Sequence, residues 1–279
     1  MLRKRRTLRE ELVFQGRGIH SGKRSSVKVA PNAEGRGLTF SFGTERYGVS
    51  EARIEDTKRR TVLIFPGGER VSTAEHLLSA IAGTGIDDAD ITPEGEEIPI
   101  LDGSSLPFVE KFASVGFREF DSPYLPHAIT TPICVRAGYA SVAALPSEAL
   151  RVTYVIDYPE TDIGTEMKDV TVTPDTFAAE IAPARTFCAR SEIEHIQKTG
   201  LGLGGSIDNV LIVGSDGKPG AGYRVERECA AHKITDILGD IALLGFVPKA
   251  HYICIRGGHW LHSRLVDRMR NSIRGGKYQ

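Results

Sequence analysis

No stretch of the sequence approaches the roughly 18 consecutive apolar residues that a membrane helix requires, so helical integral-membrane classes are excluded. Cysteine is scarce and scattered: Cys134, Cys188, Cys229 and Cys254 form no CxxC pair. Neither a zinc knuckle nor a disulfide framework is therefore encoded, and the four thiols are expected in the core or near a site, in a reducing compartment. Net charge is nearly absent too. With 35 Lys and Arg against 36 Asp and Glu, the formal charge is -1, which leaves no global field to gather nucleic acid or an anionic membrane. The start, Met1-Leu2-Arg3-Lys4-Arg5-Arg6, is basic like an export signal, but Thr7-Leu8-Arg9-Glu10-Glu11 stands where the apolar run belongs. A cytoplasmic protein is expected, with a solvated, frayed basic terminus whose contact with lipid headgroups is peripheral at most.

Nucleotide-loop motifs are missing as well. Gly16-Arg17-Gly18-Ile19-His20-Ser21-Gly22 and Gly200-Leu201-Gly202-Leu203-Gly204-Gly205 match neither GxxxxGK[ST] nor a GxGxxG that opens a helix with an acidic residue after it. Tight turns around a binding surface explain them better. What is present is ample apolar content: 41% hydrophobic residues over 279 positions, enough for one large domain or two small ones with real cores. Short β-like runs such as Leu12-Val13-Phe14, Ser26-Val27-Lys28-Val29 and Leu38-Thr39-Phe40 dominate the first part. Apolar spacing then predicts a helix over 73–82, closed by Gly83 and Gly85, and a strand at Ala89-Asp90-Ile91. The plan recurs later, with a helix over 232–244 and a strand at His251-Tyr252-Ile253-Cys254-Ile255. A linker-like run, Phe120-Asp121-Ser122-Pro123-Tyr124-Leu125-Pro126, lies between them. The reading is an α+β protein of two similar domains, 1–125 and 126–279, each a sheet with helices on one face.

His232-Lys233-Ile234-Thr235-Asp236 places an imidazole and a carboxylate one helical turn apart on one face, where they could share a metal or merely a surface hydrogen bond. Glu75-His76 on the other helix offers a third ligand, with a carboxylate beside it to work on water; three ligands plus water is the usual catalytic zinc count. Yet Ser72-Thr73-Ala74-Glu75 also reads as a capping box, which would use the glutamate to satisfy a backbone donor. Asp240 extends the His232 and Asp236 face by another i+4 step, so it could orient a neighbouring site residue or simply pair with a surface cation. His259, on the turn Arg256-Gly257-Gly258-His259 after a strand, is a candidate general acid or an ordinary loop histidine.

These segments, with Glu97-Ile98-Pro99-Ile100-Leu101-Asp102-Gly103-Ser104, Ala184-Arg185-Thr186-Phe187-Cys188, Gly204-Gly205-Ser206 and Gly257-Gly258-His259, occur in an order that resembles the LpxC family, the UDP-3-O-acyl-N-acetylglucosamine deacetylases of lipid A synthesis. The resemblance runs nearly end to end. It implies zinc on His76, His232 and Asp236, a His₂Asp set at which iron(II) competes by ligand chemistry. It implies Glu75 as base, His259 as acid supported by Asp240, Thr186 as oxyanion donor and Lys233 near the acetyl group. Phe187, Asp157, Tyr158 and Arg256 are implied against substrate: the ring of Tyr158 on uracil, Arg256 toward the diphosphate. The implied fold is two α+β domains packed helix to helix around the active site, each with a small insert, the second within about 187–222 and forming the acyl-chain passage. A monomer is expected, with the acylated UDP-sugar as partner and no nucleic acid.

The chain departs from the family pattern at Lys58-Arg59-Arg60, at Ala189 in place of an aromatic, at Glu160-Thr161, and along a short segment 214–222. All four fall on substrate walls. The alternatives are therefore a deacetylase for another N-acetylated sugar nucleotide, and a non-catalytic zinc or sugar-nucleotide binding module.

Overall fold

The structure, a computed structural model, describes residues 3–55, 60–125, 127–161, 163–214 and 222–274. Lys58, Arg59 and all but the two ends of segment 214–222 lie outside the described residues.

Strand β1 (Lys4–Leu8) leads into two hairpins, β2 (Leu12–Arg17) with β3 (Arg24–Pro31) and β4 (Leu38–Phe42) with β5 (Glu45–Gly48). A small three-stranded sheet follows, β6 (Arg53–Glu55), β7 (Val62–Ile64) and β8 (Arg70–Ser72). It stands apart from the main sheet, as an insert in the first half would. Helix α1 (Glu75–Thr84) then crosses back to β9 (Ala89–Glu94), which enters the middle of a five-stranded sheet ordered β2-β3-β9-β4-β5. Helix α2 (Leu106–Val115) and β10 (Phe117–Pro123) end this half, and β10 pairs with β1.

The second half repeats the design. Hairpins β11 (Ile133–Ala137) with β12 (Ala140–Leu145) and β13 (Arg151–Tyr158) with β14 (Gly164–Thr171) come first, then a turn, α3 (Pro174–Thr176). The parallel pair β15 (Phe187–Ala189) and β16 (Leu211–Val213), with α4 (Ile193–Lys198) between them, forms a side unit in the region expected for the second insert. Helix α5 (Glu228–Ile241) returns the chain to β17 (His251–Ile255), and α6 (His259–Arg274) follows. The sheet order β11-β12-β17-β13-β14 matches the first sheet strand for strand. In each, the last strand is antiparallel to one hairpin and parallel to the other. Parallel pairing needs a crossover, which α1 and α5 supply.

Alternation along the strands, with Val27, Val29, Ile91, Val152, Tyr154 and Ile156 all turned inward, gives each sheet one apolar face. Helices α1 and α5 are buried on nearly every side, the signature of helices held between layers. They meet without intervening side chains at one point. A Cβ on Gly239 would lie 2.1 Å from the Glu75 carbonyl oxygen, far inside contact distance. Gly85, at φ 72°, closes α1 in the left-handed conformation.

Several expectations change: most of the run 120–126 is no linker, since Phe117–Pro123 is strand β10, and Gly83 lies inside α1. From Arg3 onward the basic segment is not frayed: Lys4–Leu8 is a strand, and Arg3, Lys4 and Arg5 pair with Asp87, Asp121 and Asp88 at 2.6, 3.2 and 2.8 Å. Carboxylates distant in sequence claim the cations that otherwise would face solvent or headgroups. The capping box does not form either. Ala74 occupies the cap with no side-chain bond, and Glu75 is the first helical residue, one step from the cap instead of three. Lastly, Cys134 is exposed, while Cys229 and Cys254 are buried and Cys188 half-buried; all four are free thiols. Among the described residues, no helix is long and apolar enough to cross a membrane.

Gly239→Ala forces a methyl against the α1 backbone. We expect a loss of about 1–3 kcal/mol or more in denaturant-midpoint stability, and wild-type stability in this variant would refute the close approach.

Candidate active site and metal centre

The contact between α1 and α5 brings Glu75 and His76, at the start of one helix, against His232, Asp236 and Asp240 on one face of the other. His259, the first residue of α6, completes the group. All six side chains are buried.

His76, His232 and Asp236 present ligand atoms that all lie within 4.8 Å of one another. The His232 Nδ1 lies 3.0 Å from the Ala184 carbonyl oxygen, which can only accept. The proton therefore sits on Nδ1, and the Nε2 lone pair faces Asp236 Oδ1 at 3.3 Å. Two acceptors at that distance call for a cation between them. His76 repeats the demand, since its Nδ1 is buried without a hydrogen-bond partner. Burial, and then the neighbouring His232, pull the His76 pKa down to about 3; burial lowers that of His232 as well. Neutral imidazoles are the ligating form. Asp236, although buried, is held well below the usual carboxylate range by Lys233, His232 and His259. Lys233 bonds to its Oδ2 and leaves Oδ1 for the cluster. The donor set fits a borderline-soft divalent metal with an open position.

Beside the trio stand two groups tuned in opposite senses. Burial pushes the Glu75 carboxyl up to about 7, against the opposing charge of His259, and its Oε2 has no hydrogen-bond partner. For His259, burial works downward, but the carboxylates of Asp240, Asp236 and Glu75 outweigh it and raise the imidazole to about 9. His259 Nε2 lies 3.7 Å from Glu75 Oε1, and its Nδ1 lies 2.8 Å from Asp240 Oδ2. A carboxyl near neutrality beside a stabilised imidazolium is the environment of a general base and acid.

Glu75, His76, His232, Asp236 and His259 line a cavity of about 260 Å³. Thr186, Phe187, Tyr158 and Lys233 are in its wall, together with Ile193 and Ile196 from α4 and Val210 and Ile212 around β16. Arg185 anchors the Thr186 turn through an ion pair with buried Glu228 at 2.8 Å, and the Thr186 amide donates to the Gly103 carbonyl at 2.7 Å. Phe187 stands edge-on to Tyr158 and to His232, with centroids at 5.6 and 6.3 Å. Asp157 and Arg256 are not part of the wall. They pair with each other at 3.1 Å, because strand alternation sends Asp157 to the opposite face of β13 from Tyr158.

Sequence reasoning missed several contributors. Thr61 donates to Asp240 Oδ1 at 2.5 Å, and His262 Nδ1 lies 2.8 Å from Asp240 Oδ2. Glu97 accepts from the His20 and Ser21 amides, each at 2.8 Å, and from Thr73. The i, i+3 pair His259 and His262, on a helix whose apolar face is Leu261, Leu265, Val266 and Met269, was the one signal available in the sequence.

An α+β scaffold that buries two imidazoles and a carboxylate at ligand spacing, next to an opposed acid–base pair and a partly aliphatic cavity, belongs to the class of metal-assisted hydrolytic sites. A family model described as LpxC, UDP-3-O-acyl N-acetylglycosamine deacetylase, matches residues 5–271. A Nostoc sp. protein named UDP-3-O-acyl-N-acetylglucosamine deacetylase is 40% identical over 276 residues, covering 95% of this chain and 98% of its own. Proteins of the same name from Leptospira biflexa and Thermosynechococcus vestitus are 35% and 37% identical, over 98% and 94% of this chain and 92% of their own length in both cases. The chain belongs to the LpxC family.

In metal-stripped protein, an NMR titration should find His259 charged well past neutral pH, titrating near 9. Asp240→Asn removes the largest raising charge, so this pKa should fall by about 1–3 units. An unmoved titration would break the assigned pairing.

Proposed function

We propose that the chain removes the acetyl group from UDP-3-O-acyl-N-acetylglucosamine, giving the free amine and acetate, the committed step of lipid A biosynthesis. His76, His232 and Asp236 are the residues that hold one zinc ion. The observation that carries this reading is the buried Glu75 carboxylate, with Oε2 lacking a hydrogen-bond partner and Oε1 3.7 Å from His259 Nε2, which a purely structural metal site has no use for.

When bound, the zinc ion polarises the acetamide carbonyl and acidifies the attacking water. Glu75, poised near neutrality, takes a proton from that water. His259, its imidazolium steadied by Asp240, hands a proton from Nε2 to the departing amine nitrogen. Thr186 donates a hydrogen bond to the carbonyl oxygen as it gains charge, and Lys233 places a positive charge nearby. Tyr158 supplies a stacking face for uracil, with Phe187 at its edge. Arg256 is the cation for the diphosphate, which it meets by exchanging its Asp157 partner. The insert at 187–222 lines the acyl passage with Ile193, Ile196, Val210 and Ile212. Ala189, buried at the end of β15, stands outside the cavity lining. The two halves, divided near residue 125, then act as domains that close the site between α1 and α5. A cytoplasmic monomer fits a nucleotide-linked substrate that needs no second chain.

The decisive assay measures amine release from acylated UDP-N-acetylglucosamine and from UDP-N-acetylglucosamine, with bound metal quantified and a chelator control. Release from the acylated substrate alone is expected. Release from the unacylated sugar instead points to another sugar nucleotide, and zinc without turnover to a binding module. Glu75→Ala and His259→Ala should lose turnover and keep zinc, whereas Thr186→Val should retain a slow activity, reduced by about 10²–10³. Wild-type rates in either alanine variant would remove its assigned role.

A further inference from the structure

Two buried polar groups behind the acid have no task in this mechanism: Tyr154 and His262. We propose that His262, itself oriented by Tyr154, is a positioning residue that holds Asp240 as a permanent acceptor and so fixes which nitrogen of His259 carries the transferable proton. The inference rests on the reading of His259 as the general acid.

The geometry is a directed chain of hydrogen bonds. Asp240 Oδ2 lies 2.8 Å from His259 Nδ1 and 2.8 Å from His262 Nδ1, and Oδ1 accepts from Thr61 at 2.5 Å. A carboxylate ringed by three donors is held in its ionised form. The i, i+3 spacing on α6 puts both imidazoles on one face, and their planes cross at 80° with centroids 6.0 Å apart, so both reach one oxygen. His262 Nε2 lies 3.1 Å from the Tyr154 hydroxyl. Burial keeps Tyr154 a phenol and favours the neutral form of His262.

A neutral imidazole has one N–H and two tautomers. If the proton sat on Nε2, the Nδ1 lone pair would oppose the Asp240 carboxylate. The Asp240 carboxylate, which can only accept, rules that tautomer out and leaves the proton on Nδ1, and the Tyr154 hydroxyl, able to donate or accept, then donates to Nε2. The direction then runs from Tyr154 O–H to His262 Nε2, and from His262 Nδ1–H to Asp240 Oδ2. With Asp240 confined to accepting, His259 must donate from Nδ1. Its Nε2, which lies 3.7 Å from both Glu75 Oε1 and Asp236 Oδ2, is left to carry the proton toward the leaving group. Gly257 preserves the arrangement from the other side, since a Cβ there would crowd the Tyr154 hydroxyl at 2.9 Å.

The test compares zinc-loaded wild type with His262→Leu, His262→Asn, Tyr154→Phe and His259→Ala on the acylated substrate. His262→Leu should lower kcat by roughly 10–100-fold, as loss of an orienting partner typically does, with KM within about twofold of wild type. His262→Asn, whose amide can return a donor close to the Nδ1 position, should recover most of that loss. Tyr154→Phe should fall between the two. An asparagine variant as slow as the leucine variant, or a loss confined to KM, overturns the proposal. Should the leucine variant fail to fold, Tyr154→Phe decides alone: an unchanged kcat overturns it. Two zinc ions per wild-type chain, one lost in His262→Leu, would make Asp240, His259 and His262 a second metal site and also overturn it. His259→Ala separates the role of His259 from that of His262. Full activity there removes the acid assignment and this inference together; a dead His259→Ala beside a fully active His262→Leu removes the inference alone.

Discussion

At Gly239 the backbone of α5 comes so close to α1 that a single added carbon would stand 2.1 Å from the Glu75 carbonyl oxygen. Everything polar in the site hangs on that approach. It draws the first turn of one helix onto the charged face of the other and removes water from both. Burial of three carboxylates together is unfavourable unless cations answer them. Lys233 and the His259 imidazolium answer part of that charge from within the chain. The facing lone pairs of His232 and Asp236 are left for a metal. Desolvation also explains the tuning, since the same loss of water that raises Glu75 makes the His259–Asp240 contact strong enough to overcome burial of the imidazole.

The glycine-rich segments that match no nucleotide motif serve a related end. A Cβ on Gly204 would lie 2.2 Å from the Gly18 carbonyl oxygen, and the Gly204 amide donates to Ile19 at 2.9 Å. Backbone meets backbone without side chains, as at Gly239, and this seam joins the second-half insert to the first half beside the cavity. Glu97 holds the other side of the loop through the His20 and Ser21 amides, and reaches Thr73 just before α1 begins. Thr73 itself sits at φ 58°, a left-handed conformation that a threonine keeps only when its surroundings hold it.

Local periodicity was enough to find α1, α5 and the strands that follow them, because helical spacing and alternation are written into neighbouring residues. The three candidate ligands were also visible as spacing, but spacing alone could not choose between a capping and a catalytic Glu75. That choice depends on where the helix starts, a difference of two residues. Long-range partners were harder still. Nothing near Arg3 or Arg5 in the chain announces Asp87 or Asp88, and nothing near Asp240 announces Thr61, 179 positions away. Arg256 and Asp157 each read as ligand contacts. Only the sheet shows them paired with each other.

Matching topology in the two halves raises a final physical question. A site built between equivalent helices would, if the halves were alike, place equal groups in equal environments, and equal environments shift pKa values in the same direction. Acid–base catalysis needs the opposite. The break in equivalence is found after the central strands. The helix following β9 is entered through Ser105, whose hydroxyl donates to the His76 carbonyl oxygen at 2.9 Å and braces a candidate ligand. The helix following β17 opens instead with His259, which Asp240 charges and aims. One half therefore contributes the raised carboxyl of Glu75 and the other the stabilised imidazolium. The shared scaffold brings the two helices together; the different residues at these two helix starts make the site directional.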